Sequence, residues 1–298
     1  MFWKELAAEH SDSIATFGLD DVKRRQALRY FTWQWRWRHI HKSEQMRFLL
    51  RHSRVSALVR ALWRPGSLGD QTWESTPWSK PDRWLFVFAT RLLWSYASGA
   101  DHPALQLEEP RLGNPLPVYW NGRLISQDLA NTSLELDALG RGGGGEPREI
   151  VEIGAGYGRT AHALLSLHPG ANYTIVDIEP TISISRWYLT QLFDPARLTF
   201  VPADEVDRLD DRQFDVGISI SSLQEMTPDQ VRDYLALLDR TVSGHVYLKQ
   251  WQHWHNPVDD ADMIFGEYPF PAGWRRTLWE RCPVQTNFMQ GVWRTPSD

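Results

Sequence analysis

The chain has 298 residues, 42% of them hydrophobic and 23% charged, with a formal net charge of -5. That length can bury the core of one large domain or two modest ones, and the mild acidity excludes a general polyanion binder. The single cysteine, Cys282, excludes an internal disulfide and fits a reducing compartment.

The first residues, MFWKELAAEHSDS, carry no apolar signal core. No apolar run approaches the ~20 residues of a membrane span, so the expectation is a cytoplasmic protein without a membrane partner. Residues 20–64 read as helical, with Phe48, Leu49, Val55, Leu58, Val59 and Leu62 recurring at three- and four-residue steps. Past Asp21 this stretch has one acid, Glu44, among Arg24, Arg25, Arg36, Arg38, Arg47, Arg51, Arg54 and Arg60. Interleaved with the tryptophans of FTWQWRWRH, these arginines admit three readings. They form a solvated helix face paired with acidic surface, an acceptor-binding cap, or a nucleic-acid face, and the overall acidity argues against the last. The 16 tryptophans are either amphipathic anchors in a mixed core or the flat walls of a cleft.

Pro65 and Gly66 end the helical stretch. DRWLFVFATRLLWSYASG is expected to be a buried helix, and residues 113–139 are irregular at first and then helical. GRGGGGEP, residues 140–147, reads as a linker. The expected division is therefore a helical N-terminal cap, residues 1–146, and a Rossmann-like domain, residues 147–298.

After the glycines the pattern alternates. EIVEI, NYTIVDI, RLTFV, FDVGISI and HVYLK read as strands, and GRTAHALLSLH and PTISISRWYLTQLF as helices. TPDQVRDYLALLDRTV opens on a Thr227–Gln230 capping box with Pro228 at the first helical position, and Gly244 follows its end. WRRTLWE and TNFMQGVWR suggest a final antiparallel pair. Repeated βα units imply a mostly parallel doubly wound sheet with helices on both faces.

The first strand runs into Glu152-x-Gly154-x-Gly156-x-Gly158. A dinucleotide fingerprint is G-x-G-x-x-G, and here the third glycine comes one residue early; a phosphate-binding G-K-S or G-K-T is absent. Glu152 at the strand end repels a pyrophosphate and suits a cation. S-adenosylmethionine (SAM) has a sulfonium, an ammonium and no phosphate. Asp177 ends the second strand, where an acid can take two ribose hydroxyls, a spacing that would also suit NAD. Asp204 follows the third strand, where an acid can accept from an adenine amino group. Ligands of open α/β sheets bind at these carboxyl ends. The SAM-binding set expected is Glu152, Gly154, Gly156, Gly158, Asp177, Asp204 and Ser221.

EIGAGYGRTA, YTIVDI, SISSLQEMTP and YLKQWQHWHNPVDDADMIF resemble the sugar O-methyltransferase family, within the class I SAM-dependent methyltransferases. PVQTNFMQGVWR and PLPVYWNGRLISQDLAN are similar to that family too. The resemblance implies a class I methyltransferase sheet with an antiparallel C-terminal strand and an N-terminal helical cap. It also implies SAM as cofactor and S-adenosylhomocysteine as product.

Methyl transfer to an alcohol needs a base, whereas a carboxylate is already ionised at neutral pH. The base expected is His253, then His255, then Glu225. If YLKQWQHWHN stays extended, Lys249, Trp251, His253 and His255 share one face. Lys249, Trp251, Gln127 and Asp128 are the expected acceptor-binding residues. His253, His255, Asp259, Asp260 and Asp262 include metal-ligand types, but their spacing fits no fixed motif, and no metal is expected. The acceptor is a saccharide hydroxyl or the carboxylate of a peptide natural product; a non-catalytic SAM-binding protein is the third reading. No nucleic-acid partner is expected, and the oligomeric state stays open between monomer and homodimer.

Overall fold

The computed structural model describes residues 18–24, 43–62, 67–71, 78–256 and 260–296, together with Ser11 and Ile14. Arg25, Arg36, Arg38, the FTWQWRWRH run and Asp259 lie outside the described residues. The chain divides into two compact units. One holds residues 1–12, 137–282 and 287–298, and the other residues 13–136 and 283–286.

The first unit is built on a seven-stranded sheet. Its strands are β3 (Glu149–Ile153), β4 (Asn172–Asp177), β5 (Leu198–Pro202), β6 (Phe214–Ile220), β7 (Val242–Trp251), β10 (Arg275–Arg281) and β11 (Phe288–Arg294). The order across the sheet is β10-β11-β7-β6-β3-β4-β5. β3 to β7 run parallel, β11 is antiparallel to β7, and β10 is antiparallel to β11. The order reverses between β3 and β6, which is where open α/β sheets leave a crevice for a ligand.

The inner strands are near-continuous apolar runs because both faces are covered. Val151 and Ile153 of β3 join Val176, Val246 and Leu248 in a core completed by Val231, Leu235 and Leu238 of helix α7 (Pro228–Thr241). Helices α5 (Arg159–Leu167) and α6 (Thr181–Thr190) follow β3 and β4. The capping box of α7 is formed: Thr227 Oγ1 accepts from the Gln230 N–H at 3.3 Å, and Gln230 Oε1 accepts from the Thr227 N–H at 3.0 Å. This helix passes into β7 at Val242 without a loop, so Gly244 lies inside the strand.

The C-terminal tryptophans are core. Trp293 is 3% exposed, and it stacks on Phe270 with centroids 4.7 Å apart; Trp279 lies 4.9 Å from Phe265. The glycine run read as a linker is a helix terminator packed on the sheet. Helix α4 (Gln127–Arg141) ends there, and the Gly144 N–H donates to Leu139 O at 3.0 Å. A Cβ on Gly142 would lie 2.4 Å from Val292 Cβ, so only glycine lets the chain pass β11 this closely. Arg141 adds two hydrogen bonds to Glu280, at 2.6 and 3.1 Å.

A second hairpin, β8 (His253–Asn256) with β9 (Ala261–Ile264), is antiparallel and separate from the large sheet. β9 carries no local signal of its own: ADMI is four residues long and follows Asp259 and Asp260, residue types that favour turns.

The second unit contains α1 (Glu44–His52), α2 (Val55–Leu62) and α3 (Lys80–Ala97). The helical stretch expected over 20–64 is broken at Ser53, whose N–H caps α1 at Leu49 O, 2.9 Å away. α3 is buried as expected, from Leu85 to Trp94, and carries the buried Arg91. That guanidinium donates to Tyr119 O at 3.1 Å and Ser67 Oγ at 2.9 Å, which lets a charge sit inside the core. Residues 118–125 form a hairpin, β1 (Val118–Trp120) with β2 (Arg123–Ile125). Its two-residue turn, Asn121-Gly122, has φ of 51° and 83°, the geometry that Asn-Gly favours.

Candidate SAM and acceptor site

The site grows from the carboxyl ends of β3, β4, β5 and β6. After Ile153 the chain turns through Gly154, Gly156 and Gly158, with φ of 73°, 61° and 95°. Gly154 holds the tightest position: a Cβ there would lie 2.1 Å from Ser222 Oγ, at the start of the turn after β6. Gly154→Ala is expected to destabilise the fold by about 2 kcal/mol, from left-handed strain plus overpacking, measured by chemical denaturation.

Asp177 closes the glycine turn. Its Oδ2 accepts from the Gly156 N–H at 3.1 Å and its Oδ1 from the Ile178 N–H at 2.8 Å. Despite both bonds, burial pushes its pKa up to about 7, with Glu152 and Glu179 adding to the rise. Glu152 is 2% exposed and accepts from the Tyr173 hydroxyl at 2.8 Å. Asp204 sits exposed in the turn after β5. Tyr234 of α7 lies within electrostatic reach of these acids: its pKa is pushed up to about 12 by burial, then by Asp177 and Asp204.

Glu225 is the more telling acid. The 3-10 turn Leu223–Glu225 buries it to 6% exposure. Its pKa is pushed up to about 8, first by burial and then by Asp177. Two carboxyls of one cluster thus have pKa values raised into the neutral range, chiefly by burial. Such perturbed acids mark functional sites.

Ser221, just after β6, has φ of 57°, a rare conformation for a serine. Its N–H donates to Lys249 O at 2.7 Å, and its Oγ accepts from Gln224 Nε2 at 2.9 Å. Gln250 joins this network: its Oε1 accepts from the Gln224 N–H at 3.3 Å and its Nε2 donates to Ser219 O at 3.2 Å. Gln224, Gln250 and Tyr234 went unread in the sequence. Glutamine has no motif, and Tyr234 reads as one more apolar position on α7.

The expected common face of Lys249, Trp251, His253 and His255 divides into two pairs, Lys249 with Trp251 and His253 with His255. Lys249 is buried at 4% exposure, its Nζ 5.4 Å from the Phe288 ring centroid. Trp251 packs on Phe288 and Trp254, at 5.2 and 5.4 Å. Alternation holds within each strand, and the shared face ends where the chain leaves β7 for a separate hairpin. There His253 Nε2 and His255 Nδ1 both lie 3.1 Å from Asp262 Oδ1, with side chains 60% and 53% exposed. β8 nevertheless lies against the turn that carries Glu225. Gln127 and Asp128 belong to the other compact unit. Among the described residues no group of three or more His, Cys, Asp or Glu is placed to hold a metal ion. No described helix is long and apolar enough to cross a membrane.

No protein-family model and no curated protein matches the chain. Solved structures do. The chain is similar to the 1,6-didemethyltoxoflavin-N1-methyltransferase of Burkholderia thailandensis, at 21% identity and a TM-score of 0.46, covering 58% of this chain and 80% of that one. It is similar to a mitomycin 7-O-methyltransferase at 19% identity and 0.40, covering 56% of each. It is also similar to the magnesium protoporphyrin IX methyltransferase of Synechocystis PCC 6803, at 13% and 0.43, covering 57% of this chain and 79% of that one. The fold is defined by this chain's own strand order and pairing: a Rossmann-like class I methyltransferase sheet, mostly parallel, with an antiparallel C-terminal strand.

Proposed function

We propose that the chain is a SAM-dependent O-methyltransferase acting on a hydroxyl of a saccharide or glycosylated metabolite. The observation that carries this reading is the acid cluster at the sheet's switch point, two of whose members have pKa values raised to about 7 and about 8. A ligand that brings positive charge and hydroxyl donors suits it; a phosphate does not.

The residues present fit SAM. Asp177 would take the ribose hydroxyls, and Glu152 would face the cationic methionine end. Asp204 would accept from the adenine amino group. When bound, SAM supplies a methyl group already activated on a sulfonium. The protein's own part is to align an acceptor oxygen, exclude water and take the proton. Glu225 fits the last task better than His253 or His255. It is buried with the acid cluster, while the two imidazoles face Asp262 and solvent. A nearby cation lowers the pKa of both buried acids, which would turn Glu225 from a proton carrier into a carboxylate base.

The second reading is methyl-ester formation on a carboxylate, which needs no base. Methyl-labelled SAM, the purified chain and a metabolite extract separate the two. Product label that withstands mild alkali is the expected result. Label released as methanol would identify an ester and end the role of Glu225 as base. SAM binding without any labelled product would leave a non-catalytic binder.

A further inference from the structure

Arg275, Arg294 and His245 form one row across the large sheet. Arg275 of β10 is the register partner of Arg294 of β11, and Arg294 is the partner of His245 of β7. Directly opposite residues of antiparallel strands share a face, with Cβ atoms about 5 Å apart. The row is level with Ile150 in β3, toward the end of the sheet away from the glycine turn. Its face is the one that carries Val292, on which the glycine run packs, and a Cβ on Gly143 would lie 3.3 Å from His245 Nε2. Arg275 and Arg294 are exposed, and His245 is half-buried.

Like charges set directly opposite one another are destabilising. Among the described residues no acid forms an ion pair with any member of the row. Glu280, further along the same face of β10, is held by Arg141 at 2.6 and 3.1 Å and by Gln290 Nε2 at 2.8 Å. Asp215 of the neighbouring β6 accepts from the Arg148 and Glu149 N–H groups at 2.9 and 3.0 Å. The His245 pKa is lowered by burial, then by Arg294 and then by Arg275. Charge on an edge strand deters pairing with another chain, which accounts for Arg275. It does not account for Arg294 and His245, which stand on inner strands.

We propose that Arg275, Arg294 and His245 bind an oxyanion of the phosphate or sulfate class. The two guanidinium forks offer paired N–H donors to tetrahedral oxygens, and the imidazole adds a further donor. A bound dianion cancels the repulsion along the row and raises the His245 pKa. A free anion and a phosphate ester on a larger molecule share this chemistry. The row lies toward the opposite end of the sheet from the acid cluster, so the inference does not rest on the methyl-transfer reading.

The test is an NMR pH titration of the full chain with carbon-labelled histidine, in chloride and then in sulfate, inorganic phosphate or methyl phosphate at about 10 mM and matched ionic strength. His245→Gln assigns the resonance. Expected is a rise of about one unit in the His245 pKa with sulfate or inorganic phosphate. Arg294→Gln should cut that rise at least about threefold and leave the melting temperature in chloride unchanged or raised, because a like-charged neighbour is gone. Arg275→Gln carries the same comparison if the first variant fails to fold. An equal rise with methyl phosphate would support the proposal with an esterified phosphate as ligand, and a rise with the free anions alone would support it with a free anion. No rise beyond that in chloride, or an undiminished rise in the folded variants, would overturn it.

Discussion

Asp177→Ala is expected to weaken SAM binding by about a hundredfold or more while the chain stays folded. The carboxylate would hold two ribose hydroxyls, and a hydrogen bond to a charged group contributes about 1.5–3 kcal/mol. The same carboxylate accepts from the Gly156 and Ile178 N–H groups, so the glycine turn loosens with it. Global stability should fall little, because the variant also removes a buried acid whose pKa is raised to about 7. Calorimetry gives the affinity and circular dichroism the fold. Unchanged affinity in a folded variant would end the assignment of Asp177 to the ribose.

Glu225→Gln is expected to lower turnover by about 10²–10⁴-fold, the usual contribution of a general base, with SAM affinity altered only a few-fold. His253→Ala should cost much less. A larger loss from His253→Ala than from Glu225→Gln would return the base to the histidine hairpin.

The stability readout for Glu225→Gln runs the opposite way. The folded pKa of Glu225, about 8, lies above the ordinary 4.5 of an unfolded chain. A raised folded pKa stabilises relative to the ionised state below pH 4.5, and that advantage is lost as pH rises toward 8. The free wild-type protein should therefore lose stability across this window. The glutamine variant, which lacks this titration, should lose less, by a margin on the order of 4–5 kcal/mol at pH 8.5. Thermal melts from pH 5 to 8.5 measure it. Parallel wild-type and variant curves would show that Glu225 does not titrate in this window. SAM binding by the wild type should release protons at pH 7, seen as a calorimetric enthalpy that depends on the buffer.

Much of the sheet unit was legible because its signals are local. Apolar runs bounded by glycine and proline, the Thr227–Gln230 box and the glycine turn each act within a few residues, and the structure keeps them where the sequence put them. The β1–β2 hairpin carries an equally local signal, Asn121-Gly122 between VYW and RLI. The acid positions at strand ends followed from strand order alone.

Burial could not be read this way, because it depends on residues distant in sequence. Nothing local separates Glu225, sunk beside Asp177, from the exposed Asp204, or the exposed His253 from the buried Lys249. Nor does local pattern reveal that the run of glycines packs on Val292. The sequence by itself determined the elements, their order and which acids stand at strand ends, since periodicity and turn chemistry are properties of neighbours. Only the tertiary structure decided which of those acids carry a proton and which side chains lie buried. Desolvation and packing are set by the groups that long-range contacts bring around them.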